Sequence, residues 1–377
     1  MRLGLPVCED IWTSDVIECL AESGAQMIIS LNASPFDLMK SDARMAHAVS
    51  RVHESELPLV YVNMVGGQDE LVYDGASFAL NADGKLAAHL PSFSETTSVI
   101  RVGEDYGVPS LTGQMPPPDD GMGALYRGLT QGLRDYIDKN GFPGVVLGLS
   151  GGIDSAIVAA LAVDALGADR GHAVMMPSPY TSQESLDDAA DLANRLGIRL
   201  DEISIGPAMR AMDGMLAAQF AGTGPDIAEE NIQSRLRGMI LMGISNKRGP
   251  MVLATGNKSE YAAGYSTLYG DMCGGLAVIS DLPKVKVFEL ARHMNRDGEI
   301  VPINTIEKPP SADHRPAQKD EDSLPPYNEL DGILKAYVEE GKSADDIVAL
   351  GYEPDVVKDI VRKVDLNEYK RKQAAPA

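Results

Sequence analysis

The sequence predicts an α/β protein whose larger, C-terminal part is built on a doubly wound parallel sheet. Two observations predict this fold. Short apolar runs typical of buried strands recur from residue 145 onwards, and each is followed by a stretch of ten or more residues with helical periodicity. Strands that alternate with helices of this length indicate a parallel sheet covered on both faces, which binds its ligands at the carboxyl ends of the strands.

The elements of this part follow one another in a regular order. The predicted strands cover residues 145–149, 173–176, 200–205 and 251–254. The predicted helices run from the end of the first strand to residue 166 and over residues 185–196 and 228–245. Residues 307–326 combine prolines with acidic residues and are predicted to form a surface loop that acts as a lid.

The N-terminal part is predicted to be a separate, smaller α/β domain, since 377 residues are too many for one typical domain. Residues 27–31 and 59–62 are predicted strands, and residues 40–56 are a predicted helix. Prolines and glycines are concentrated between residues 107 and 121, as is typical of a linker. We therefore expect domains over residues 1–106 and 122–377, joined by a linker over residues 107–121.

Composition excludes several classes of protein. No apolar run is long enough to span a membrane, and the first residues are too short an apolar segment for a signal peptide. The three cysteines, Cys8, Cys19 and Cys273, lack metal-ligand spacing, and their odd number favours a reducing compartment. A formal net charge of −22 argues against nucleic-acid binding. We expect a cytoplasmic protein that binds neither nucleic acid nor membranes.

The stretch GLSGGIDSA, residues 148–156, is the strongest candidate for chemistry. It lies between a predicted strand and a predicted helix, where backbone N–H groups and the helix dipole favour a phosphate. No Lys-Ser or Lys-Thr follows its glycines, so it is not the P-loop of ordinary NTPases, and it is not G-x-G-x-x-G. The alternative is a strand–helix turn whose glycines only allow close packing.

Residues 150–155, SGGIDS, resemble the loop of the ATP pyrophosphatase (PP-loop) superfamily. The resemblance implies that this loop grips the pyrophosphate of ATP while the α-phosphate is attacked. It implies catalytic roles for Ser150, Asp154 and Ser155, with Mg²⁺ held by Asp154. The ATP-binding residues that it implies are Gly148, Leu149, Ser150, Gly151, Gly152, Ile153, Asp154 and Ser155.

Further blocks look like those of NAD synthetases and appear in the family order, at residues 231–235, 254–260, 269–272, 308–312 and 367–376. The resemblance implies that Met176, Thr255 and Lys284 contact ATP and that Glu260 joins Asp154 around Mg²⁺. It also implies deamido-NAD contacts for Asn231, Arg235, Glu260 and Lys370. Taken alone, Met176 is more often a core residue, and Arg235 or Lys284 is more often a solvated surface cation.

The N-terminal blocks at residues 7–12, 32–36 and 61–75 resemble the glutamine amidase domain of glutamine-dependent NAD synthetases, an αββα sandwich of the nitrilase fold. Cys8 matches the family nucleophile, and Ser34 and Lys40 match glutamine-binding positions; taken alone, Cys8 is more often a buried small hydrophobe. The family's Glu base and Lys lie well upstream of the cysteine, whereas seven residues precede Cys8 here. Glu9 is next to Cys8 in sequence, but neighbouring side chains of a strand point to opposite faces, so we do not expect Glu9 to be the base.

These resemblances imply a partial nitrilase-like domain followed by a PP-loop NAD synthetase domain. The implied reaction is ATP-dependent amidation of deamido-NAD to NAD through an adenylated intermediate, by a homodimer or larger homo-oligomer. We expect this chain to use free ammonium rather than glutamine. We also expect its first sheet to have an uncovered edge and uncovered apolar faces, which predict instability or association. The termini, shorter than in the family, fit a fragment, an internal start or a decayed gene. The alternatives are another PP-loop amidotransferase, such as a GMP synthetase-like enzyme, and a catalytically dead nucleotide-binding fragment.

Overall fold

The computed structural model describes residues 1–105, 108–117, 121–311, 315 and 320–377. It divides into two compact units, here called unit one (Met1–Tyr136) and unit two (Ile137–Ala377). The predicted domain limit at residues 106 and 107 lies outside the described residues, as do residues 118–120 of the predicted linker.

Unit one is built on a five-stranded mixed sheet and two short hairpins. Its strands are β1 (Leu3–Gly4), β2 (Met27–Asn32), β3 (Leu59–Asn63), β4 (Val65–Gln68), β5 (Leu71–Asp74), β6 (Phe78–Leu80), β7 (Leu86–His89), β8 (Arg101–Asp105) and β9 (Val108–Thr112). Its helices are α1 (Ser14–Glu22), α2 (Lys40–Ser55) and α3 (Gly121–Lys139), whose last residues belong to unit two. The sheet order is β1-β2-β3-β6-β7; β1 to β3 are parallel, and β6 and β7 are antiparallel to their neighbours.

The three elements predicted in unit one are present as β2, β3 and α2, and the unit also contains strands and helices that were not predicted. Part of the predicted linker forms β9, which pairs with β8 in an antiparallel hairpin. Pro109 lies within β9, opposite Glu104. A two-stranded ribbon tolerates proline because its outer edge needs no ladder hydrogen bond, so the proline content suggested a linker where the chain also forms a strand.

The two faces of the unit-one sheet are covered to different extents. Ile17 of α1 and Val52 of α2 pack with Ile28 and Leu59 on one face. On the other face, Val7, Leu31 and Val62 are register neighbours on adjacent chain segments and are 58%, 49% and 39% exposed. We call these three residues the apolar row. Side chains of this type are usually buried in a strand, so the row is an apolar surface that the described residues cover only in part.

Unit two is the predicted doubly wound domain. Its strands are β10 (Val145–Gly148), β11 (Gly171–Met175), β12 (Arg199–Glu202), β13 (Met251–Ala254) and β14 (Leu276–Ala277). Its helices are α4 (Ile153–Leu166), α5 (Gln183–Leu196), α6 (Gly206–Leu216), α7 (Ile227–Arg248), α8 (Lys258–Ala263), α9 (Lys284–Met294), α10 (Ile303–Glu307), α11 (Tyr327–Leu334), α12 (Ala344–Ala349), α13 (Pro354–Leu366) and α14 (Glu368–Arg371).

The sheet order of unit two is β12-β11-β10-β13-β14, and every neighbouring pair is parallel. The chain leaves β10 towards one edge of the sheet and returns to β13 on the other side of β10. This reversal creates a crevice at the carboxyl end of β10, which is where doubly wound sheets bind ligands. The fold prediction is confirmed here.

Helices cover both faces of this sheet. Val146 and Val174 pack with Leu236 and Leu241 of α7 on one face. The helix α4 is buried over most of its length, from Ile153 to Ala165, as its uniformly apolar sequence predicts. No helix among the described residues is both long enough and apolar enough to cross a membrane.

Candidate active site

A cavity of about 540 Å³ lies in unit two at the carboxyl ends of the central strands. Most of the residues that the sequence assigned to ATP line it, as do both predicted metal ligands. These lining residues are Gly148, Leu149, Ser150, Gly152, Ile153, Asp154, Ser155, Met176, Thr255, Glu260 and Lys284. Residues far apart in sequence therefore share one cavity.

The glycine loop is a short connection between β10 and α4 that its own serines hold in shape. The hydroxyl oxygens of Ser150 and Ser155 lie 3.1 Å apart, and Ser155 Oγ donates to the carbonyl of Gly152 at 3.0 Å. The backbone N–H groups of Ser150 and Gly152 donate to Ser155 Oγ and Ser150 Oγ, both at 3.2 Å. Ser150 and Ser155 therefore stabilise the loop, which lines the cavity, by hydrogen bonds within the loop itself.

Gly151 is the one loop residue that does not line the cavity. It has a φ of 80°, and a Cβ atom there would lie 2.1 Å from the carbonyl oxygen of Ser185 in α5. Only glycine fits this position, because the backbone is left-handed and the neighbour is main chain. Close packing against α5 therefore explains why residue 151 is glycine. Its neighbours Ser150 and Gly152, in contrast, line the cavity.

A buried lysine joins the two carboxylates at the centre of the cavity. The ammonium of Lys284 contacts Asp154 Oδ2 and lies 3.2 Å from Glu260 Oε1. Asp154 Oδ1 also accepts a hydrogen bond from Asn257 Nδ2 at 2.9 Å. The Lys284 side chain is only 2% exposed, so it is not a solvated surface cation.

The charges in this cluster shift one another's pKa values. Burial alone would lower the pKa of Lys284, but the carboxylates of Asp154 and Glu260 outweigh it and raise that pKa. Burial raises the pKa of Glu260, and the Lys284 ammonium opposes this effect. Lys284 therefore stays charged, which suits a group that balances phosphate charge.

Three residues assigned to deamido-NAD do not line the cavity but contact a segment that does. Asn231 Oδ1 accepts a hydrogen bond from Thr267 Oγ1 at 2.8 Å, and Arg235 Nε donates to the carbonyl of Leu268 at 3.1 Å. Lys370 Nζ donates to the carbonyls of Gly264 and Ser266 at 2.7 and 2.8 Å. All three hold the segment 264–271, of which Ser266, Gly270 and Asp271 line the cavity.

The cavity also contains residues that sequence reasoning missed. Asp320 is 4% exposed and accepts a hydrogen bond from Tyr327 Oη at 2.7 Å. Tyr261 is 6% exposed, and its hydroxyl has no hydrogen-bond partner among the described residues. Burial raises the pKa of both Asp320 and Tyr261. The acidic composition of the predicted lid was the only signal for Asp320, and nothing local marked Tyr261.

The predicted lid is described only in part, because residues 312–314 and 316–319 lie outside the described residues. Where it is described, it approaches the cavity from both ends. Lys308 Nζ donates to Asp188 Oδ2 at 2.7 Å, and the backbone N–H of Asp320 donates to the carbonyl of Pro310 at 3.1 Å. Lys308, Pro310 and Asp320 all line the cavity.

Cys8 begins a turn in unit one rather than continuing a strand, so the strand geometry used to set Glu9 aside was wrong. Cys8–Ile11 form a 3-10 helix, and Cys8 has a φ of 54°. Val7 still pairs with Leu31 in a parallel bridge, and the chain turns directly after it. A left-handed conformation at a residue other than glycine is strained and is concentrated at functional sites. Among the described residues the thiol makes no hydrogen bond or ion pair with a carboxylate or a cation.

The two predicted glutamine-binding residues have separate neighbours. Ser34 is buried, and its hydroxyl accepts a hydrogen bond from Arg44 Nε at 3.0 Å. Arg44 in turn donates to both carboxylate oxygens of Asp74 at 2.8 and 2.9 Å, in a buried ion pair. Lys40 Nζ lies 5.7 Å from the centre of the Trp12 ring.

Comparison with known proteins identifies two protein families along the chain. The family model for NAD synthase matches residues 125–374, and the model for carbon-nitrogen hydrolase matches residues 1–106. The chain is 52% identical to a glutamine-dependent NAD(+) synthetase of Rhodobacter capsulatus, over all of this chain and 70% of that protein.

Two solved structures of NAD synthetases are also similar to this chain. The glutamine-dependent NAD+ synthetase from Acinetobacter baumannii in complex with ADP has a TM-score of 0.78 and 42% identity, over 100% of this chain and 69% of that one. The NH3-dependent NAD synthetase from Campylobacter jejuni has a TM-score of 0.55 and 26% identity, over 66% of this chain and 96% of that one. The chain belongs to the family of glutamine-dependent NAD(+) synthetases.

Proposed function

We propose that the cavity of unit two catalyses the ATP-dependent amidation of deamido-NAD. The observation that supports this proposal is the meeting of the glycine loop, Asp154, Glu260 and Lys284 in one cavity. The nicotinate carboxylate attacks the α-phosphorus of ATP, an O–P bond forms, and the bond to pyrophosphate breaks. Ammonia then attacks the adenylated carboxyl carbon, AMP leaves, and the nitrogen loses a proton to give the amide of NAD.

The residues of the cavity have complementary roles in this proposal. The glycine loop binds the pyrophosphate as it leaves, because it lies at the start of α4, where the helix dipole favours an anion. Ser150 and Ser155 keep the loop in shape through their hydrogen bonds within it. Lys284 balances the negative charge that develops on the phosphates. Such preorganised charge is worth more in a cavity shielded from water than at a solvated surface.

Mg²⁺ fits the carboxylates of this cavity. Asp154 and Glu260 line the same cavity and contact the same ammonium, so two carboxylates of the kind that Mg²⁺ prefers lie close together. Among the described residues no group of three or more His, Cys, Asp or Glu side chains is arranged to hold a metal ion. The phosphates of ATP would therefore supply further ligands, as is usual for Mg²⁺, and the ion would neutralise phosphate charge.

For deamido-NAD we propose a binding surface formed by the segment 264–271. Asn231, Arg235 and Lys370 hold this segment through the hydrogen bonds described above. Asp271, at its end, lines the cavity and has its pKa raised to about 6 by burial. In this proposal Asn231, Arg235 and Lys370 act on deamido-NAD at least partly by shaping this surface.

We further propose that the 377-residue chain by itself uses free ammonium. A thiol needs an adjacent base or cation to become a competent nucleophile. Around Cys8 the described residues supply neither within hydrogen-bond distance, although its left-handed backbone resembles that of a strained functional residue. The second candidate is glutamine as the ammonia donor, hydrolysed at Cys8, and the left-handed backbone of Cys8 is the observation that favours it.

The test is NAD formation by the purified chain with ATP, Mg²⁺ and deamido-NAD, run once with ammonium and once with glutamine. We expect turnover with ammonium only. Glutamine-driven turnover that Cys8→Ala abolishes would contradict the ammonium proposal. Binding of Mg-ATP without pyrophosphate release in either reaction would mean a catalytically dead nucleotide-binding protein.

A homodimer and a cytoplasmic location are also proposals. The resemblance to NAD synthetases supports the first, and three free cysteines support the second. Light scattering coupled to size-exclusion chromatography checks the oligomeric state, with a mass of one chain, 40.2 kDa, as the contradicting result.

A further inference from the structure

The helix α11 packs against α8 and α9, the two helices that carry Glu260 and Lys284. Its residues Tyr327 and Asp331 are four positions apart and therefore lie on the same face of the helix. Neither residue lines the cavity, but Tyr327 contacts the ammonium of Lys284 and Asp331 accepts a hydrogen bond from the N–H of Val285, the next residue. This face of α11 is not used by the proposed reaction.

The start of α9 has no cap of its own. Lys284 is the first residue of the helix, and Pro283 at the N-cap position has no side-chain oxygen that could accept its N–H groups. Two side chains from elsewhere in unit two replace the cap. Ser259 Oγ accepts from the N–H of Lys284 at 2.8 Å, and Asp331 Oδ2 accepts from the N–H of Val285 at 2.9 Å.

Asp331 also holds the start of α8. The Ser259 hydroxyl donates to Asp331 Oδ1, so one carboxylate binds both α8 and α9. Ser259 is fully buried and directly precedes Glu260. Asp331 therefore links the residue that follows Lys284 with the residue that precedes Glu260, the carboxylate that Lys284 contacts.

Tyr327 makes the second contact, through the ammonium itself. The Lys284 Nζ atom lies 5.3 Å from the centre of the Tyr327 ring, within the range of a cation–π interaction. The hydroxyl of the same tyrosine donates to Asp320 Oδ2 at 2.7 Å. Tyr327 thus connects the ammonium with the described end of the predicted lid.

We propose that Tyr327 and Asp331 are positioning residues for Lys284, which they hold at its backbone and at its ammonium. They act through Lys284 and touch no substrate. A misplacement of about 1 Å at a reacting group can cost about 10²-fold in rate, so their contribution is measurable. This inference rests on the proposed function, because it requires Lys284 to act on ATP.

A purely structural role is the competing explanation. Leu330, Ile333 and Leu334 of α11 belong to the apolar core of the C-terminal helices, so α11 also stabilises the fold. A structural role would lower activity whether or not Lys284 is present. A positioning role requires Lys284, which a double-mutant cycle detects.

The experiment measures the ATP dissociation constant with Mg²⁺ by calorimetry and the ammonium-driven kcat, on the full chain. The variants are Asp331→Ala, Tyr327→Leu and Lys284→Met, with each α11 change also made in the Lys284→Met background. We expect Asp331→Ala to lower kcat about 10²-fold and to leave the KM for ammonium within about twofold. In the Lys284→Met background it should change kcat and ATP affinity less than about twofold.

Conservative variants separate the contacts and guard against misfolding. Asp331→Asn keeps an acceptor for the N–H of Val285 but not a second one for Ser259, so we expect a smaller loss of kcat than with alanine. Tyr327→Phe keeps the ring and loses the Asp320 contact. Tyr327→Phe should retain more ATP affinity than Tyr327→Leu. If Asp331→Ala does not fold, the double-mutant cycle with Lys284→Met is measured on these two Tyr327 variants instead.

The matched control is Glu339→Gln. Glu339 Oε1 accepts from Lys258 Nζ at 2.5 Å, and thus joins the π-helix Lys335–Glu339, which follows α11, to the start of α8 without contacting Lys284. We expect its kcat to stay within about twofold of wild type. Equal losses from Asp331→Ala with and without Lys284, or an equal loss in Glu339→Gln, would overturn the inference. Full activity in Lys284→Met would instead overturn the proposed role of Lys284.

Discussion

The sheet of unit two has helices on both faces, whereas one face of the unit-one sheet carries the exposed apolar row. Val146 and Val174 of unit two are fully buried, but Leu31 and Val62 of unit one are 49% and 39% exposed. All four residues are aliphatic and lie in strands. This difference in exposure shows that an apolar strand pattern indicates only that its side chains favour burial. Whether a neighbouring element covers those side chains depends on the fold.

The candidate sites differ in the same way. In unit two, Asp154, Glu260 and Lys284 lie on three helices and meet in one cluster. In unit one, Cys8 lacks a charged partner among the described residues, and Ser34 and Lys40 contact separate neighbours. A reactive group needs its partner within hydrogen-bond distance, so the two units differ in chemistry as well as in packing.

The largest expected effect is the loss of activity in Asp154→Asn, which tests the cluster of unit two. The change removes one of the two charges that contact Lys284 while it keeps the size of the side chain. We expect ammonium-driven kcat to fall roughly 10²- to 10³-fold, because preorganised charge at the phosphates is lost. Steady-state NAD formation measures it.

Glu289→Gln is the matched control for this variant. Glu289 pairs with Lys286 on α9, two positions after Lys284, but both side chains are 41% exposed. Exposed pairs contribute little, so kcat should stay within about twofold. Equal losses in the two variants would mean that the cluster has no special role.

An intermediate effect is expected for Asp74→Ala, which tests whether the buried charges of unit one serve stability. The change leaves Arg44 buried without its carboxylate, which costs about 3 kcal/mol in the free energy of unfolding. Trp12 is the only tryptophan of the chain and lies in unit one, so urea unfolding followed by its fluorescence reports on this unit.

Asp83→Ala provides the comparison in the same unit. The Asp83–Lys85 pair is exposed, with side chains 52% and 82% accessible, so the unfolding midpoint should not change. If Asp74→Ala also left the midpoint unchanged, the buried pair would contribute nothing to the stability of unit one.

The smallest expected effect concerns the apolar row. Val62→Thr keeps a β-branched strand residue and adds a hydroxyl, so it should weaken self-association by about 1 kcal/mol or less without changing ammonium-driven activity. Leu86→Thr is the control, because Leu86 has the same 39% exposure and lies outside the row. Sedimentation velocity over a concentration series separates the two. An equal effect of both variants would show that the row is not the contact surface.

The sequence predicted most of the site of unit two but not all of its contacts. The glycine loop was predictable because its nine residues are contiguous and its backbone requirements are local. The environment of Lys284 was not, since Ser259 and Asp331 lie 25 and 46 residues from the groups that they cap. Asn231, Arg235 and Lys370 were assigned to deamido-NAD, and in the structure they hold the segment that lines the cavity.

By itself the sequence determined the α/β architecture and the place of the glycine loop, because periodicity and glycine content act over short stretches of chain. The family resemblance also followed from contiguous motifs. The tertiary structure decided which charges meet, which N–H groups are capped from another helix, and which apolar side chains stay exposed. These are contacts between distant segments, and their energies depend on burial and distance, which local sequence does not specify.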